Sequence, residues 1–462
     1  MKTGDTIAAI ATPLGTGGIS IVKISGPEAV VAAATVFRAR NPRRRLSELP
    51  SQRMVYGYIY DPGRDGVIDE VLVSILKGPH SYTGEDVVEI NCHGGTMVSA
   101  SVMDLLLARG VRLAEPGEFT RRAFLNGRID LTQAEGTIDL IEAKTRRAAR
   151  LGSRMLRHGV GEAVAGLRDR TLEIRSRIEA AIDFCEEEEI GESPDRIRDM
   201  LRRDLIPVVE KLLKGHAEGH FLRHGMRIAL AGKPNVGKSS LMNALLRRNR
   251  VIVTEHPGTT RDTIEEGVAL DGLPVLLSDT AGLRKAGDPV ERIGQQMAKE
   301  AIAAADLVLM IIDASRPIDA VDYDILGHIG DRPYVLVRNK IDLVPEASER
   351  SGGGIPHQDG CVDISALYDE GIETLKQHLI RFAGVEGTAE SDGCPPNQRQ
   401  KALLGKALSA LEAAVDPEVG SVALELMAVD LKDCERYFNQ ILGVDVEADV
   451  LDSIFSRFCI GK

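Results

Sequence analysis

Tryptophan is absent from the 462 residues, and aromatic residues make up only 4%. Stacking platforms for single-stranded bases are therefore not obvious. Basic residues are in deficit: 57 Lys and Arg stand against 69 Asp and Glu, a formal net charge of −12. That balance argues against a chain-wide polyanion-binding surface, so any RNA contact must be local. The six cysteines, Cys92, Cys185, Cys361, Cys394, Cys434 and Cys459, form no C-x-x-C pair. Their scatter speaks against a zinc cluster and for a reducing compartment. No apolar run approaches a membrane span, and residues 1–10 lack the basic-then-apolar pattern of a signal peptide. A soluble, cytoplasmic chain without a membrane partner is expected. Its length predicts two to four domains, each with a sizeable core.

The most informative stretch that is present runs Gly232-Lys233-Pro234-Asn235-Val236-Gly237-Lys238-Ser239. It has the form G-x-x-x-x-G-K-S, preceded by the apolar run Ile228-Ala229-Leu230-Ala231 and followed by a helical pattern over 241–246. That strand–loop–helix setting is what a phosphate-binding loop requires. Backbone N–H groups wrap phosphate oxygens at a helix N-terminus. Lys238 supplies positive charge to the β- and γ-phosphates, and the Ser239 hydroxyl is placed for Mg²⁺.

Three further signals follow in the order a guanine-nucleotide domain needs. Asp279-Thr280-Ala281-Gly282 ends the apolar strand 275–277; Asp279 faces Mg²⁺ through water and the Gly282 N–H faces the γ-phosphate. Asn339-Lys340-Ile341-Asp342 ends the strand 335–337. Its carboxylate can accept two N–H bonds from guanine, which adenine does not offer, and such a site rejects the wrong base strongly. Ser365-Ala366-Leu367 follows 362–364 and would back the base with a loop N–H. The candidate nucleotide contacts are thus Asn235, Val236, Gly237, Lys238, Ser239 and Ser240 in the first loop. The stretch Thr254, Glu255, His256, Pro257, Gly258, Thr259 and Thr260 follows. Asp279, Thr280, Ala281, Gly282, Asn339, Lys340, Asp342, Ser365, Ala366 and Leu367 complete the set. These residues resemble the translation-factor-related class of small GTPases, and GTP is expected rather than ATP.

Where a Ras-like GTPase carries a water-positioning Gln, this chain has Leu283, which cannot polarise water. Another catalytic group is needed. Glu291 is the nearest candidate acid; the alternative is a solvated glutamate at a helix start. Thr260 can coordinate Mg²⁺. Asn235 and the carbonyls of the 254–259 loop can hold a monovalent cation where an arginine finger would otherwise sit.

Along the chain, residues 1–121 mix β-rich runs (19–24, 71–76, 87–90) with a helical stretch at 98–108 and read as an α+β domain. Gly15-Thr16-Gly17-Gly18 reads as a turn, since no Lys follows it. From about 124 to 222 the pattern is helical, with Leu156, Val160, Val164, Leu167, Ile174, Ile178 and Ile182 at helical spacing. The same stretch is rich in Arg between 144 and 177. A basic face could touch RNA phosphates, but a solvated face with intrahelix ion pairs is the favoured reading. The Glu186–Glu189 run reads as a solvated helix boundary. The GTPase segment spans about 225–382, a polar linker follows over about 384–400, and helical periodicity resumes at 404–415 and 424–441. Helices on both sides of the GTPase segment suggest one helical domain with the GTPase inserted in it. The expected domains are 1–121 (α+β), 122–222 with 383–462 (helical bundle) and 223–382 (Ras-like α/β).

The chain ends Phe458-Cys459-Ile460-Gly461-Lys462. This tail, together with Asp5-Thr6-Ile7-Ala8-Ala9, Ser81-Tyr82-Thr83-Gly84-Glu85-Asp86, His93-Gly94-Gly95, Pro116-Gly117-Glu118-Phe119-Thr120 and Ile182-Asp183-Phe184, resembles the MnmE (TrmE) family of tRNA modification GTPases over essentially the whole chain. The resemblance implies K⁺-stimulated GTP hydrolysis and a homodimer in which the G domains pair across the nucleotide face. It implies work with the flavoprotein MnmG, in a heterotetramer or larger complex, on C5 of the wobble uridine of certain tRNAs. The FAD belongs to that partner. A tetrahydrofolate derivative, in 5-formyl or methylene form, supplies the one-carbon unit. By position, Asn235, Thr254, His256 and Thr259 match the K⁺ ligands, Ser239 and Thr260 the Mg²⁺ ligands, and Glu291, with Lys238, the catalytic groups. Lys23, Glu89, Arg128 and Lys462 match the folate contacts. Lys23 stands where the family form carries Arg, and Arg128 where it carries Lys; charge is kept but bidentate geometry is not. Cys185 replaces the usual Pro after Ile182-Asp183-Phe184, a local backbone change. Cys459 is implicated in the modification chemistry, and Arg457 or Lys462 nearby would favour its thiolate. A second reading shares the G-domain motifs: a GTP-binding switch in ribosome assembly with no tRNA chemistry of its own. Residues 1–121 and the tail discriminate, because such a switch does not need them.

Overall fold

The computed structural model describes residues 4–61, 63, 66–157, 159–183, 193–249, 265–279, 298–344, 355–356, 359–385, 394–416 and 423–462. The chain forms two compact units. The first comprises Met1–Ile138, Gly161–Arg175 and Leu431–Lys462; the second comprises Asp139–Val160 and Ser176–Asp430.

The first unit is built on seven strands: β1 (Ile7–Ile10), β2 (Ile19–Ser25), β3 (Phe37–Ala39), β4 (Arg53–Asp61), β5 (Gly66–Leu76), β6 (Val87–His93) and β7 (Arg112–Leu113). They lie in the order β3-β4-β5-β6-β2-β1-β7, antiparallel except for the parallel pair β1/β7. Alternating burial along β2 sends Val22 and Ile24 inward and leaves Lys23 on the other face. The helices Ala29–Val36 and Thr96–Leu107 cover the inward face, and Ala33, Val36, Val102 and Leu106 join Val22, Ile24, Val73 and Ile90 in one core. A separate cluster joins Leu131, Ala134 and Ile138 to Ile454, Phe455 and Phe458 near the C-terminus. Gly461, at φ +95°, packs so closely on the backbone of Ile10 and Ala11 that a Cβ would overlap it. The tail is thereby seated on β1.

In the second unit six strands, β8 (Met226–Ala231), β9 (Glu265–Leu270), β10 (Leu273–Asp279), β11 (Leu307–Asp313), β12 (Tyr334–Asn339) and β13 (Cys361–Ile364), form a sheet in the order β13-β12-β11-β8-β10-β9. Only the edge strand β9 is antiparallel. Every residue of β11 is buried, the continuous apolar run expected of a parallel strand covered on both faces. In such a sheet ligands bind beyond the carboxyl ends of the strands. The phosphate loop, Asp279, the 339–342 segment and Ser365 follow β8, β10, β12 and β13 at that edge. The fold is thus the expected combination of an α+β N-terminal part, helices and a Ras-like α/β sheet.

One local boundary shifts, and one stretch read as helical is wound more widely than an α-helix. The polar linker placed at 384–400 stops earlier, because the helix Gln398–Ala414 begins there. Asn397 accepts the Gln400 N–H at 2.9 Å and Gln400 returns a bond to the Asn397 N–H at 3.0 Å, a reciprocal cap that polarity alone disguises. The helical stretch at 201–205 is π-wound: the Ile206 N–H reaches back to the Leu201 carbonyl, and Pro207, which lacks an N–H, follows.

Candidate nucleotide and one-carbon sites

The phosphate loop leaves β8 at Gly232 and enters the helix Lys238–Asn249. Its turn depends on left-handed backbone at Gly232 (φ +151°), Asn235 (φ +61°) and Gly237 (φ +101°). Space matters as much as conformation: a Cβ on Gly232 would overlap the Ile311 carbonyl, and one on Gly237 would overlap the Asn339 amide nitrogen. The buried Lys238 ammonium donates to the Gly232 and Lys233 carbonyls at 2.6 and 2.7 Å, which holds its charge inside the curve of the loop. Ser239 Oγ donates to Asp279 Oδ2 at 3.0 Å. A hydroxyl and a carboxylate brought together beside a lysine-bearing loop are hard oxygen donors suited to Mg²⁺. The residues present fit that ion.

On the base side, Asn339 (2% exposed) ties three segments together. Its Nδ2 donates to the Val236 carbonyl at 2.7 Å, and its Oδ1 accepts the Ala366 N–H at 3.0 Å. Asp342 Oδ1 accepts a bond from Ser365 Oγ at 2.5 Å. This orients the carboxylate and leaves acceptor capacity for guanine. Lys340, at φ +66°, places its ammonium 2.6 Å from Asp313 Oδ2. Burial pushes the Asp313 carboxyl up, but Lys340 and Ser315 outweigh it and hold it below the ordinary carboxylate range.

Of the expected nucleotide residues, Asn235, Val236, Gly237, Lys238, Ser239, Ser240, Asp279, Asn339, Lys340, Asp342, Ser365, Ala366 and Leu367 are therefore gathered at one sheet edge. Thr254, Glu255, His256, Pro257, Gly258, Thr259, Thr260, Thr280, Ala281, Gly282, Leu283 and Glu291 lie outside the described residues, as do Cys185 and Glu186–Glu189. Sequence reasoning passed over Lys233. Its ammonium sits 2.8 Å from Asp319 and 2.7 Å from Asp322, the two carboxylates that cap the helix Ala320–Ile329. The D-x-x-D capping pattern is visible in the sequence; its lysine partner is more than eighty positions earlier.

The four expected folate residues belong to the first unit. Lys23 and Glu89 are direct cross-strand partners on β2 and β6, with Nζ 3.8 Å from Oε1. The Lys23 ammonium lies over the Tyr82 and Phe119 rings at 5.3 and 5.4 Å. Burial pushes the Lys23 amine below the usual lysine range, Glu89 opposes the shift, and the nearby Lys462 charge adds to it. Two cations against one carboxylate in a partly buried setting favour an anionic ligand. Arg128 Nε donates to the Ser81 carbonyl at 3.1 Å, one residue from Tyr82. The residues present fit a ligand with a flat ring and carboxylates. Cys459 is exposed, whereas Cys434 is buried and its thiol is pushed up to about 12 by desolvation. A separate cleft of about 280 Å³ lies between the Gly15–Gly18 turn and Gly94–Ser99. Lys23, Glu89, Arg128 and Lys462 are not among its lining residues. The described residues contain no group of three or more metal-ligating side chains and no helix long and apolar enough to cross a membrane.

Comparison with known proteins bears on the whole chain. Residues 6–128 match the family described as the GTP-binding protein TrmE N-terminus, and residues 131–459 match the MnmE helical domain. A tRNA modification GTPase MnmE from Syntrophobacter fumaroxidans is 44% identical over 471 residues, covering 100% of this chain and 99% of that protein. The protein of the same name from Chloroflexus aurantiacus is 45% identical, covering 99% of this chain and 100% of its own. Among solved structures, the G domain of the T. maritima FeoB iron transporter is 27% identical, covering 34% of this chain and 98% of that chain at a TM-score of 0.26. Full-length identity at this level, with both family models matched in order, decides the matter: the chain belongs to the MnmE family of tRNA modification GTPases.

Proposed function

We propose that this GTPase couples K⁺-stimulated hydrolysis of GTP to modification of tRNA. It would act with the flavoprotein MnmG to install an aminomethyl or carboxymethylaminomethyl group at C5 of the wobble uridine. One observation carries the hydrolytic half: Ser239 and Asp279 meet at 3.0 Å beside Lys238, with Asp342 and Ser365 poised at the base side of the same sheet edge. Within that arrangement Asp342 selects guanine, Lys238 and the loop N–H groups hold the phosphates, and Asn339 fixes the loops against each other. Mg²⁺ at Ser239 and Thr260, and K⁺ at Asn235 with the carbonyls of Thr254, His256 and Thr259, would supply positive charge where negative charge develops on the phosphates. Glu291 orients the attacking water, the role Leu283 cannot fill.

The transferred carbon would be handled elsewhere. Lys23, Glu89, Arg128 and Lys462 form the site for a tetrahydrofolate derivative, in 5-formyl or methylene form. The paired cations Lys23 and Lys462 support this reading, as does the seating of Gly461 on β1 near Cys459. The chain works in the cytoplasm as a homodimer, with tRNA as substrate and FAD on the MnmG partner. The helical-domain match runs from 131 to 459, on both sides of the six-stranded sheet. This supports a G domain over 223–382 inserted between helical segments 122–222 and 383–462, after an N-terminal domain over 1–121.

Hydrolysis tests the nucleotide half. Turnover is expected to drop when K⁺ is exchanged for Na⁺, and Glu291→Ala should slow turnover on the order of 10²-fold while sparing GTP binding. Equal turnover in Na⁺ would remove the cation, and an unchanged Glu291→Ala rate would remove the glutamate from the mechanism.

A further inference from the structure

The arginines between 144 and 177 divide into two groups. On the helix Gly159–Asp183 they are neutralised: Arg168 pairs with Asp169 at 2.7 Å, Arg170 with Glu173 at 2.5 Å, and Arg175 with Glu435 at 3.1 Å. That helix is the solvated face the composition favours. The helix Arg146–Arg157 is different. It carries five arginines and no carboxylate in its sequence RRAARLGSRMLR. Its inner side buries Ala148, Leu151, Gly152 and Met155, while Arg147 turns inward to the Val385 carbonyl at 3.0 Å and Glu218 at 3.2 Å. Arg146, Arg150 and Arg157 remain exposed and make no ion pair with any described residue.

At 100° per residue these three lie within roughly 40° of one another, on a ridge about 16 Å long opposite the buried side. Such a row in a chain of net charge −12 is a concentrated exception to the surrounding electrostatics. We infer that the Arg146–Arg150–Arg157 ridge is a docking surface for the phosphate backbone of RNA. This rests on the reading of tRNA as the substrate and adds the face that holds it. The chemistry favours RNA over a lipid surface. Arginine's planar fork matches phosphate oxygens, and the residues between the arginines on this side, Ala149 and Ser153, offer no large apolar group to enter a bilayer. The ridge has no aromatic residue, so it grips the backbone without reading bases.

The test measures binding of bulk tRNA to the full chain by fluorescence anisotropy across a fourfold range of salt. Each phosphate contact contributes a factor of about three over that range. Across that range the affinity of the triple variant R146Q/R150Q/R157Q should therefore fall by roughly 20- to 40-fold less than that of the unaltered chain. The slope of log affinity against log salt should fall by about two to three. Hydrolysis of GTP without tRNA should be unchanged, and R168Q/R170Q, which removes paired arginines, should bind tRNA like the unaltered chain. If the unaltered chain binds tRNA and the triple variant matches it in affinity and slope, the ridge is refuted while tRNA stands as partner. If the unaltered chain hydrolyses GTP but binds no tRNA, the partner reading and the ridge both fall. If the triple substitution abolishes binding to phosphatidylserine vesicles but spares tRNA, the ridge is a membrane surface and the inference is overturned.

Discussion

Replacing Asn339 by Ala separates a residue that ties loops together from Asp342, the proposed reader of the base. Asn339 is buried and makes two bonds to backbone groups of other loops, Val236 O at 2.7 Å and Ala366 N at 3.0 Å. Truncation leaves both groups without these partners, at about 1–3 kcal/mol each where water cannot replace the bond. Loop groups regain part of that from solvent, so about 2 kcal/mol is the expected loss, or roughly 30-fold in GTP affinity. The loss should appear before nucleotide is added, as faster hydrogen exchange at the amides of 236–238 and 365–367. Asp342→Asn should behave differently. It removes the charge from the proposed guanine acceptor and should weaken GTP by at least as much, yet leave those amides protected in the free protein. Calorimetric titration of GTP and hydrogen exchange on both variants check this. Wild-type exchange in Asn339→Ala, or equal exchange in both variants, would refute the view that Asn339 acts by tying loops together.

Three further outcomes follow from the same geometry. Gly237→Ala should weaken GTP binding at least tenfold, because its Cβ meets the Asn339 amide and its φ of +101° suits glycine alone; near-normal binding would show that the loop relaxes freely. Titration of 5-formyltetrahydrofolate should show binding that Lys23→Met weakens by roughly 10- to 150-fold, the worth of one hydrogen bond to a charged group; equal affinity would remove Lys23 from the site. The Asp5–Arg112–Glu118–Arg122 cluster gives a pH dependence. Burial pushes the Glu118 and Asp5 carboxyls up, but bonds to Arg112 and Arg122 outweigh it and hold both below the ordinary range. Their stabilising contribution is therefore complete above about pH 5.5, where the unfolded carboxylates have ionised, and is lost as pH falls through the lowered folded values. Far-ultraviolet circular dichroism should show acid unfolding that Glu118→Gln makes shallower; an identical acid limb would contradict the assignment.

Much of the nucleotide site was legible because its parts are local. A phosphate loop declares itself by an apolar strand, glycines at fixed spacing and a helix. The 339–342 and 365–367 segments each terminate a strand that reads as one. Contacts between distant segments were not legible. Nothing in the stretch around Lys233 announces Asp319 and Asp322, and nothing near Asn339 announces that its amide closes on the phosphate loop at Gly237. The cross-strand register that sets Lys23 against Glu89 depends on a sheet whose neighbours are not consecutive. The two groups of arginines differ already in sequence, since the helix Arg146–Arg157 carries no carboxylate and the helix Gly159–Asp183 carries several. What the sequence does not announce is a partner far along the chain, such as Glu435 for Arg175. The short helix Ala448–Phe455 is not legible in the sequence, because two buried residues, Ile454 and Phe455, give too little periodicity.

The central claim is that GTP hydrolysis by this chain serves modification of tRNA, and mass analysis of the wobble uridine tests it most directly. In tRNA from cells lacking this chain, the aminomethyl or carboxymethylaminomethyl group at C5 should be missing. It should return when the intact chain is restored and stay absent with Glu291→Ala. Unaltered modification in the deleted cells would contradict the account.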